Sequence, residues 1–246
     1  IQGWLSNNDA KPGFTEQSFA VIEQKCKSEE SWQYKVCALC MDEMEVKKHL
    51  DVDKSTGQVC GFVNIGCGDI DDDQQPQASK ALVLLAVGLC GSWKVPLGYW
   101  FTDGCSSTLL SSLLVCALKR LYEVRCVAVS VTADGAPCNL KAFQALGCCF
   151  DPDRLKTTFV HPSDSRLTVA VILDAVHMIK LVRNLFCEYK LITVPGVGQA
   201  KWHHVDQLNQ LQESDGLSLA NRLTRQHIDF STQKMKVKLA AQVLSD

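Results

Sequence analysis

The chain has 246 residues, of which 46% are hydrophobic and 21% are charged, and its formal net charge is −2. This balance is typical of a folded globular protein and excludes a disordered or collagen-like chain. A net charge so close to zero lacks the basic surplus that favours non-specific DNA binding. Any nucleic-acid contact must therefore come from local patches or from segments outside this chain.

The ends of the sequence and its apolar runs indicate neither secretion nor insertion into a membrane. The chain begins at Ile1 rather than Met and ends inside a helical pattern, so we expect it to be part of a longer protein. No charged segment followed by an apolar segment opens the chain, and secretion is not indicated. The longest apolar run, 81–90, is roughly half of the about 20 residues that a membrane span needs, so no membrane contact is expected.

The 13 cysteines are an odd number and are scattered through apolar segments. This pattern indicates reduced, buried thiols in a cytosolic or nuclear protein rather than a disulfide framework. Cys37 and Cys40 form a CxxC motif, but on a strand its two thiols face opposite sides of the sheet. No second CxxC or HxxxH follows at zinc-finger spacing, so packed thiols are favoured over a zinc site.

The hydrophobic pattern predicts a mixed α/β sheet of five strands flanked by helices. The predicted elements, in chain order, are a helix over 13–30, a strand over 36–41, a hairpin partner over 58–65, an acidic loop over 69–77, a third strand over 81–101 kinked by Gly and Pro, a helix over 106–122, a strand over 126–131, a helix over 140–146, a strand over 167–173 and a helix over 178–188. Asn139 is expected to cap the helix over 140–146.

The pattern changes near residue 195, where we predict a domain boundary. Apolar residues after this point repeat at helical spacing, with further helical patterns at 217–228 and 231–244. We therefore expect the opening helices of an all-α unit over 195–246.

Two aspartates end the predicted first and fourth strands. Asp42 follows the apolar run 36–41, and Asp134 follows the run 126–131 after two residues. If these strands are neighbours, the two carboxylates converge, and a divalent cation offsets their repulsion. Such hard oxygen ligands suit Mg²⁺ or Mn²⁺, and paired ions promote phosphoryl transfer. The plainer interpretations are a turn or cap role for Asp134 and emergence of the strand into solvent at Asp42.

Other familiar sites are not supported by the spacing of residues. The acidic loop over 69–77 lacks the ligand spacing of an EF-hand and is interpreted as solvated. The histidines at 203, 204 and 227 lack the spacing of a zinc protease. The sequence contains no GxSxG nucleophile motif and no Walker phosphate-binding loop.

Five blocks of sequence occur in an order that resembles the P element transposase family, including vertebrate transposases with an N-terminal THAP zinc finger. These blocks are Met41–Met44, Trp93–Tyr99, Val131–Ala136, Asp174–Asn184 and Lys234–Gln242. The resemblance covers about 13–246. It implies a ribonuclease-H-like catalytic domain over 13–194, lacking its C-terminal part, followed by the start of a helical GTP-binding insertion over 195–246.

The resemblance also implies a mechanism and partners. Members of this family hold two Mg²⁺ ions with an Asp, Asp, Glu triad and cut and rejoin DNA; Asp42 matches the first acid and Asp134 the second. The catalytic Glu lies beyond the insertion and has no counterpart here. Transposon-end DNA as partner, self-association of the complete protein and a nuclear location are implied in the same way.

Further positions are matched by the resemblance alone. Asp174 and His177 match a DxxH element near the site, with either a substrate or a structural contact as its role. Lys236, Val237 and Ser245 align with guanine-nucleotide contacts in the insertion. The alternative for this last segment is an amphipathic helix with its lysines in solvent.

The departures from the family pattern leave other functions open. The chain has no THAP finger, no third acid and only the first helices of the insertion, so we expect it to be unable to transpose DNA alone. One alternative is a domesticated, non-catalytic descendant that binds DNA or protein. Another is a different ribonuclease-H-like nuclease.

Overall fold

The computed structural model describes residues 11–27, 31–52, 57, 59–66, 75–216 and 223–244. The chain divides into two compact units, Ile1–Ile172 and Leu173–Asp246. None of the helices in the described ranges is long and apolar enough to span a bilayer.

The first unit is an α/β domain. Its strands are β1 (Gly13–Phe14), β2 (Val36–Glu45), β3 (Asp51–Val52), β4 (Val59–Cys60), β5 (Lys80–Gly88), β6 (Lys94–Thr102), β7 (Val127–Ala133), β8 (Thr158–His161) and β9 (Asp164–Leu173). Its helices are α1 (Glu16–Lys27), α2 (Ser107–Glu123) and α3 (Pro137–Ala145), with 3₁₀ turns at Ser31–Tyr34 and Pro152–Arg154.

Seven of these strands form one sheet in the order β1-β6-β5-β2-β7-β9-β8. The central strand β2 runs antiparallel to β5 and parallel to β7, which confirms the predicted mixed α/β class. The β2–β7 ladder contains one irregularity: Cys37 pairs with Ala128, but Ala38 pairs with Ser130. Val129 is therefore an extra residue on β7, as in a β-bulge.

The core lies on one face of this sheet. Alternate residues of β2, namely Cys37, Leu39 and Met41, are buried because the side chains of a strand alternate between its two faces. Helix α2 covers this face with leucines and alanines at helical spacing. Its buried residues are Leu110, Leu113, Leu114, Ala117, Leu118 and Leu121.

The main sheet has seven strands where the sequence pattern predicted five. The run 81–101 is a hairpin and not one kinked strand, β1 and β8 are additional edge strands, and the strand predicted over 58–65 is not part of this sheet. Strands β5 and β6 pair antiparallel across a turn at 89–93. Trp93 lies in this turn, stacks on Tyr34 at 5.3 Å between ring centroids, and donates from Nε1 to the Gln33 carbonyl at 2.9 Å. A side chain at Gly88 would collide with Trp93, since an added Cβ falls 2.2 Å from its Nε1.

The hairpin predicted over 58–65 is shorter than expected. Within its described residues, only Val59–Cys60 is a strand, paired with Asp51–Val52. Phe62 and Asn64 make single bridges elsewhere. The acidic stretch 69–73 lies outside the described residues.

The second unit contains four helices and one hairpin in its described part. The helices are α4 (Ala175–Tyr189), α5 (Trp202–Asp215), α6 (Arg225–Ile228) and α7 (Val237–Leu244), with a 3₁₀ turn at Phe230–Thr232; the hairpin joins β10 (Leu191–Val194) and β11 (Gly198–Lys201). The hairpin spans residue 195, so the segment 195–246, which was expected to be all-helical, contains the strand β11 near its start. Phe186, Cys187 and Trp202 form the small apolar core of this unit.

Candidate active site

Asp42 and Asp134 line the same pocket, which has a volume of about 280 Å³. The last residues that pair between the parallel strands β2 and β7 are Cys40 and Thr132. Each aspartate lies two residues further along the chain, Asp42 within β2 and Asp134 directly after β7. Because parallel strands end at the same edge of a sheet, this register brings the two carboxylates to one rim. The structure therefore brings together the two acids that the sequence singled out.

Asp134 is oriented by two hydrogen bonds at the start of α3. Its Oδ1 accepts from the Ala136 backbone N–H at 3.0 Å and from Asn139 Nδ2 at 2.7 Å. The first bond is an Asx-turn, so the turn interpretation of Asp134 and its place in the pocket are compatible. Helix α3 starts at Pro137, and its N-cap, Ala136, makes no side-chain cap. The expectation that Asn139 caps this helix is therefore wrong: Asn139 lies in the first turn and holds Asp134 instead.

Asp42 stands where β2 leaves the core. The preceding residue, Met41, is buried, whereas Asp42 is exposed and reaches the solvent side of the pocket. Its Oδ1 accepts the backbone N–H of Glu43 at 2.9 Å. Emergence of the strand into solvent is thus observed, and it delivers this carboxylate to the same cavity as Asp134.

A partly buried ion pair forms another wall of the pocket. Lys80 Nζ donates to Glu43 Oε2 at 2.9 Å, and the two side chains are 38% and 26% exposed. The hydrogen bond from Lys80 to Glu43, and then the charge of Glu43, raise the pKa of the lysine. Glu45, which pairs with Lys80 across the β2–β5 ladder, also lines the pocket.

Two thiols, those of Cys105 and Cys138, also line the pocket. Burial, followed by the hydrogen bond with Glu43, raises the pKa of Cys105 to about 12. Burial and then the Glu43 charge also raise the pKa of Cys138, whose Sγ contacts the Cys105 carbonyl at 2.7 Å. Burial therefore favours the protonated form of both thiols near neutral pH.

The donor set suits a hard divalent cation. Asp42 and Asp134 contribute carboxylate oxygens, which Mg²⁺ and Mn²⁺ prefer over sulfur or nitrogen. Over the ranges that the structure describes, no group of three Asp, Glu, His or Cys residues is placed to hold a metal ion. In the described part of the chain, Asp42 and Asp134 are the two acids of this pocket that could hold a cation.

A second depression lies along α2 and is larger, at about 490 Å³, but more open. Its single acid, Glu123, lies among Lys119 and Arg120. This groove lacks paired carboxylates, and the pocket of Asp42 and Asp134 is therefore the candidate active site.

The remaining predicted residues belong to the second unit. Asp174 is the N-cap of α4: its Oδ1 accepts from the Val176 N–H at 3.0 Å and its Oδ2 from the His177 N–H at 3.2 Å. Lys236 is exposed and immediately precedes α7, which begins at the half-buried Val237. Ser245 lies outside the described residues.

Sequence reasoning missed Lys80, Cys105 and Cys138 as residues of this site. Lys80 starts β5, and the antiparallel register places it opposite Glu45 at the end of β2. In the sequence, Lys80 stands directly before a long apolar run. Its place in the site follows only from the β5–β6 hairpin, which the hydrophobic pattern did not predict.

Two family profiles match the chain. The TNP-like RNase H N-terminal domain matches residues 10–147, and the TNP-like GTP-binding insertion domain matches residues 176–246. The first match contains both Asp42 and Asp134, and the second contains Lys236 and Val237.

The chain is also similar to two transposases. It is 32% identical over 246 residues to DNA transposase THAP9 of Homo sapiens, covering 100% of this chain and 27% of that protein. It is 29% identical over 244 residues to the transposable element P transposase of Drosophila melanogaster, covering 99% of this chain and 29% of that protein. The chain thus spans less than a third of the length of either relative.

A solved structure shares the fold. The Drosophila P element transposase strand transfer complex contains a chain that superposes with a TM-score of 0.77 at 26% identity. The match covers 99% of this chain and 49% of that one. The match therefore includes both units of this chain, the mixed sheet and the helical second unit.

Proposed function

Since the chain belongs to the TNP-like transposase family, we propose that it is the part of a DNA transposase that supplies Asp42 and Asp134 to a two-metal phosphoryl-transfer site. The complete site would include a carboxylate from outside this chain. The chain itself carries the sheet that fixes the two aspartates and the first part of an insertion that binds GTP.

The observation that carries this proposal is the convergence of the two aspartates in one pocket. They come from strands that are neighbours in the sheet but about ninety residues apart in sequence, in register at the same rim. Divalent cations bound between such acids would supply Lewis-acid activation and stabilise the charge that develops on a leaving oxygen.

The chain's own residues would hold the carboxylates in a fixed geometry. Asn139 and the Ala136 N–H fix Oδ1 of Asp134, while the Glu43 N–H holds Oδ1 of Asp42. Partners of this kind orient ligands and typically affect metal affinity by about 10–100-fold. Asp42 lies within β2 and Asp134 directly follows β7, which favours precise placement because neither acid is in a long loop.

The test is Mn²⁺ binding to this chain, measured from the electron paramagnetic resonance signal of free Mn²⁺. Asp42→Asn should weaken binding by at least about tenfold, because a carboxylate ligand loses its charge. Asp153→Asn, an exposed acid on the 3₁₀ turn Pro152–Arg154, is the matched control and should bind as the wild type does. Equal affinity of the Asp42→Asn variant and the wild type would refute the assignment.

The same variant distinguishes a catalytic protein from a domesticated one. In the complete protein that contains this chain, Asp42→Asn should abolish Mg²⁺-dependent DNA strand cleavage and leave the fold intact, as judged by circular dichroism. A complete wild-type protein that binds DNA without cleaving it under any divalent cation would instead support the non-catalytic alternative.

We further propose that the second unit contributes to a guanine-nucleotide site. The match of residues 176–246 to a GTP-binding insertion supports this proposal. Lys236 is exposed beside the N-terminus of α7, where an ammonium and free backbone N–H groups attract phosphate. Val237 and Ser245 are the other proposed contacts.

DNA is the proposed macromolecular partner, and the nucleus is the proposed location. Both relatives are named as transposases, whose substrate is genomic DNA. Self-association of the complete protein is part of the same proposal. The net charge of this chain is close to zero, which is consistent with a complete protein in which other segments recognise DNA and this segment supplies the reaction centre.

A further inference from the structure

We propose that Lys80 binds a non-bridging oxygen of the DNA phosphodiester that enters the pocket of Asp42 and Asp134. This inference rests on the proposed function and assigns a substrate contact to a residue outside the acidic pair. Its basis is the position, partner and charge of this one lysine.

Lys80 is the only basic residue among the described residues that line the pocket. One of the three donors of its ammonium group goes to Glu43 Oε2, at 2.9 Å. The side chain is 38% exposed, so the ammonium is accessible from the cavity as well as held by Glu43. A lysine held in this way has donors to offer to an anion while its place is already fixed.

The backbone of Lys80 is fixed by two strands. It pairs with Glu45 of β2 on one side and with Thr102 of β6 on the other. Asp42 pairs with Val83, three residues further along the same strand β5. Because side chains alternate along a strand, this register directs Lys80 to the face of Glu43 and Asp42 to the other face. Both residues line the pocket at the rim, and their backbone separation is set by the sheet rather than by a loop.

The charge of the pocket gives Lys80 its importance. Asp42, Glu43, Glu45 and Asp134 carry four formal negative charges and Lys80 one positive charge, so the lining sums to −3. Two divalent cations would change this sum to +1, which one phosphodiester charge neutralises. Without Lys80, the same loaded pocket would be neutral before the phosphate arrives and would exert no net attraction on it.

A competing explanation is that Lys80 only neutralises Glu43. The two explanations differ in a double variant. If Lys80 only neutralises Glu43, removal of both charges should restore the affinity of the pocket for a phosphodiester. If Lys80 contacts the phosphate, that affinity should stay low in the double variant, because the contact is still missing.

The experiment uses the 246-residue chain and the dinucleotide thymidylyl-thymidine, whose single phosphodiester is followed by ³¹P nuclear magnetic resonance with and without Mn²⁺. Lys80→Met should weaken binding of the dinucleotide by about tenfold or more, the loss expected for one charge-assisted hydrogen bond. Mn²⁺ affinity should be unchanged or higher, because the pocket becomes more negative. Lys80→Arg keeps the charge and should retain binding.

The double variant Lys80→Met, Glu43→Gln should remain as weak for the dinucleotide as Lys80→Met. Wild-type affinity in Lys80→Met, recovery in the double variant, or no dinucleotide binding by the wild type would each overturn the inference. Failure of the proposed function is separate, since it appears as equal Mn²⁺ affinity of Asp42→Asn and the wild type, measured without the dinucleotide.

Discussion

Asp134 has two roles that two substitutions can separate. Its Oδ1 holds the start of α3 through the Ala136 N–H and Asn139 Nδ2, and its charge is proposed to bind a cation. Asp134→Asn keeps an acceptor oxygen of the same shape but removes the charge. Asp134→Ala removes both. The two variants should therefore agree in metal binding and differ in stability.

The magnitude follows from the two hydrogen bonds. Each contributes about 0.5–1.5 kcal/mol, so Asp134→Ala should lower the free energy of unfolding by about 1–3 kcal/mol. Asp134→Asn should cost less than about 1 kcal/mol, because the acceptor stays and the repulsion between the two aspartates disappears. Both variants should weaken Mn²⁺ binding by at least about tenfold.

The assay is urea unfolding of the chain at pH 7, with Mn²⁺ binding measured in parallel on the same samples. With a slope of about 1–3 kcal/mol per molar urea, a loss of 2 kcal/mol lowers the midpoint by about 0.7–2 M. Equal destabilisation by the Asn and Ala variants would refute the role of Oδ1. Wild-type Mn²⁺ affinity in either variant would refute the role of the charge.

Two further predictions concern the buried thiols and the nucleotide site. The pKa of Cys26 is raised from 9.0 to about 11, mainly by burial, so the folded state keeps a proton that the unfolded state loses above about pH 9. The stability that this thiol contributes is complete below pH 9 and is lost as the pH rises towards 11. The urea midpoint should therefore fall more steeply between pH 8.5 and 10.5 in the wild type than in Cys26→Ala, and equal slopes would contradict the assignment. Lys236→Ala should weaken the binding of a fluorescent GTP analogue by about tenfold in anisotropy titrations, whereas Lys238→Ala on α7 serves as the control; equal affinities would exclude Lys236 as a contact.

Much of the fold could be predicted from the sequence because its central elements have strong local patterns. The buried part of β2 is a continuous apolar run, and α2 has leucines at helical spacing, so each was assigned from its own residues. The two aspartates could be found for the same reason, since each directly follows the end of a predicted strand or lies close to it.

The parts that could not be predicted depend on contacts between distant residues. The turn between β5 and β6 contains Trp93, whose ring packs on Tyr34. Because this turn residue is apolar, the sequence pattern of the turn looks like the interior of a strand. Lys80 becomes a site residue only through its register with β2, and Asn139 only because α3 begins at Pro137. Hydrophobic periodicity predicts neither which residues pair between two strands nor at which residue a helix begins.

The extra residue Val129 in the β2–β7 ladder determines which side chains meet at the rim. If Ala38 paired with Val129 instead of Ser130, Asp42 would stand opposite Ala133, and Asp134 would be displaced by one position. A shift of one position also exchanges the two faces of a strand. The irregularity lies four residues, or roughly 13 Å, before the acids. An insertion or deletion inside the sheet, remote from both carboxylates, would therefore disrupt the proposed metal site as effectively as replacing an aspartate.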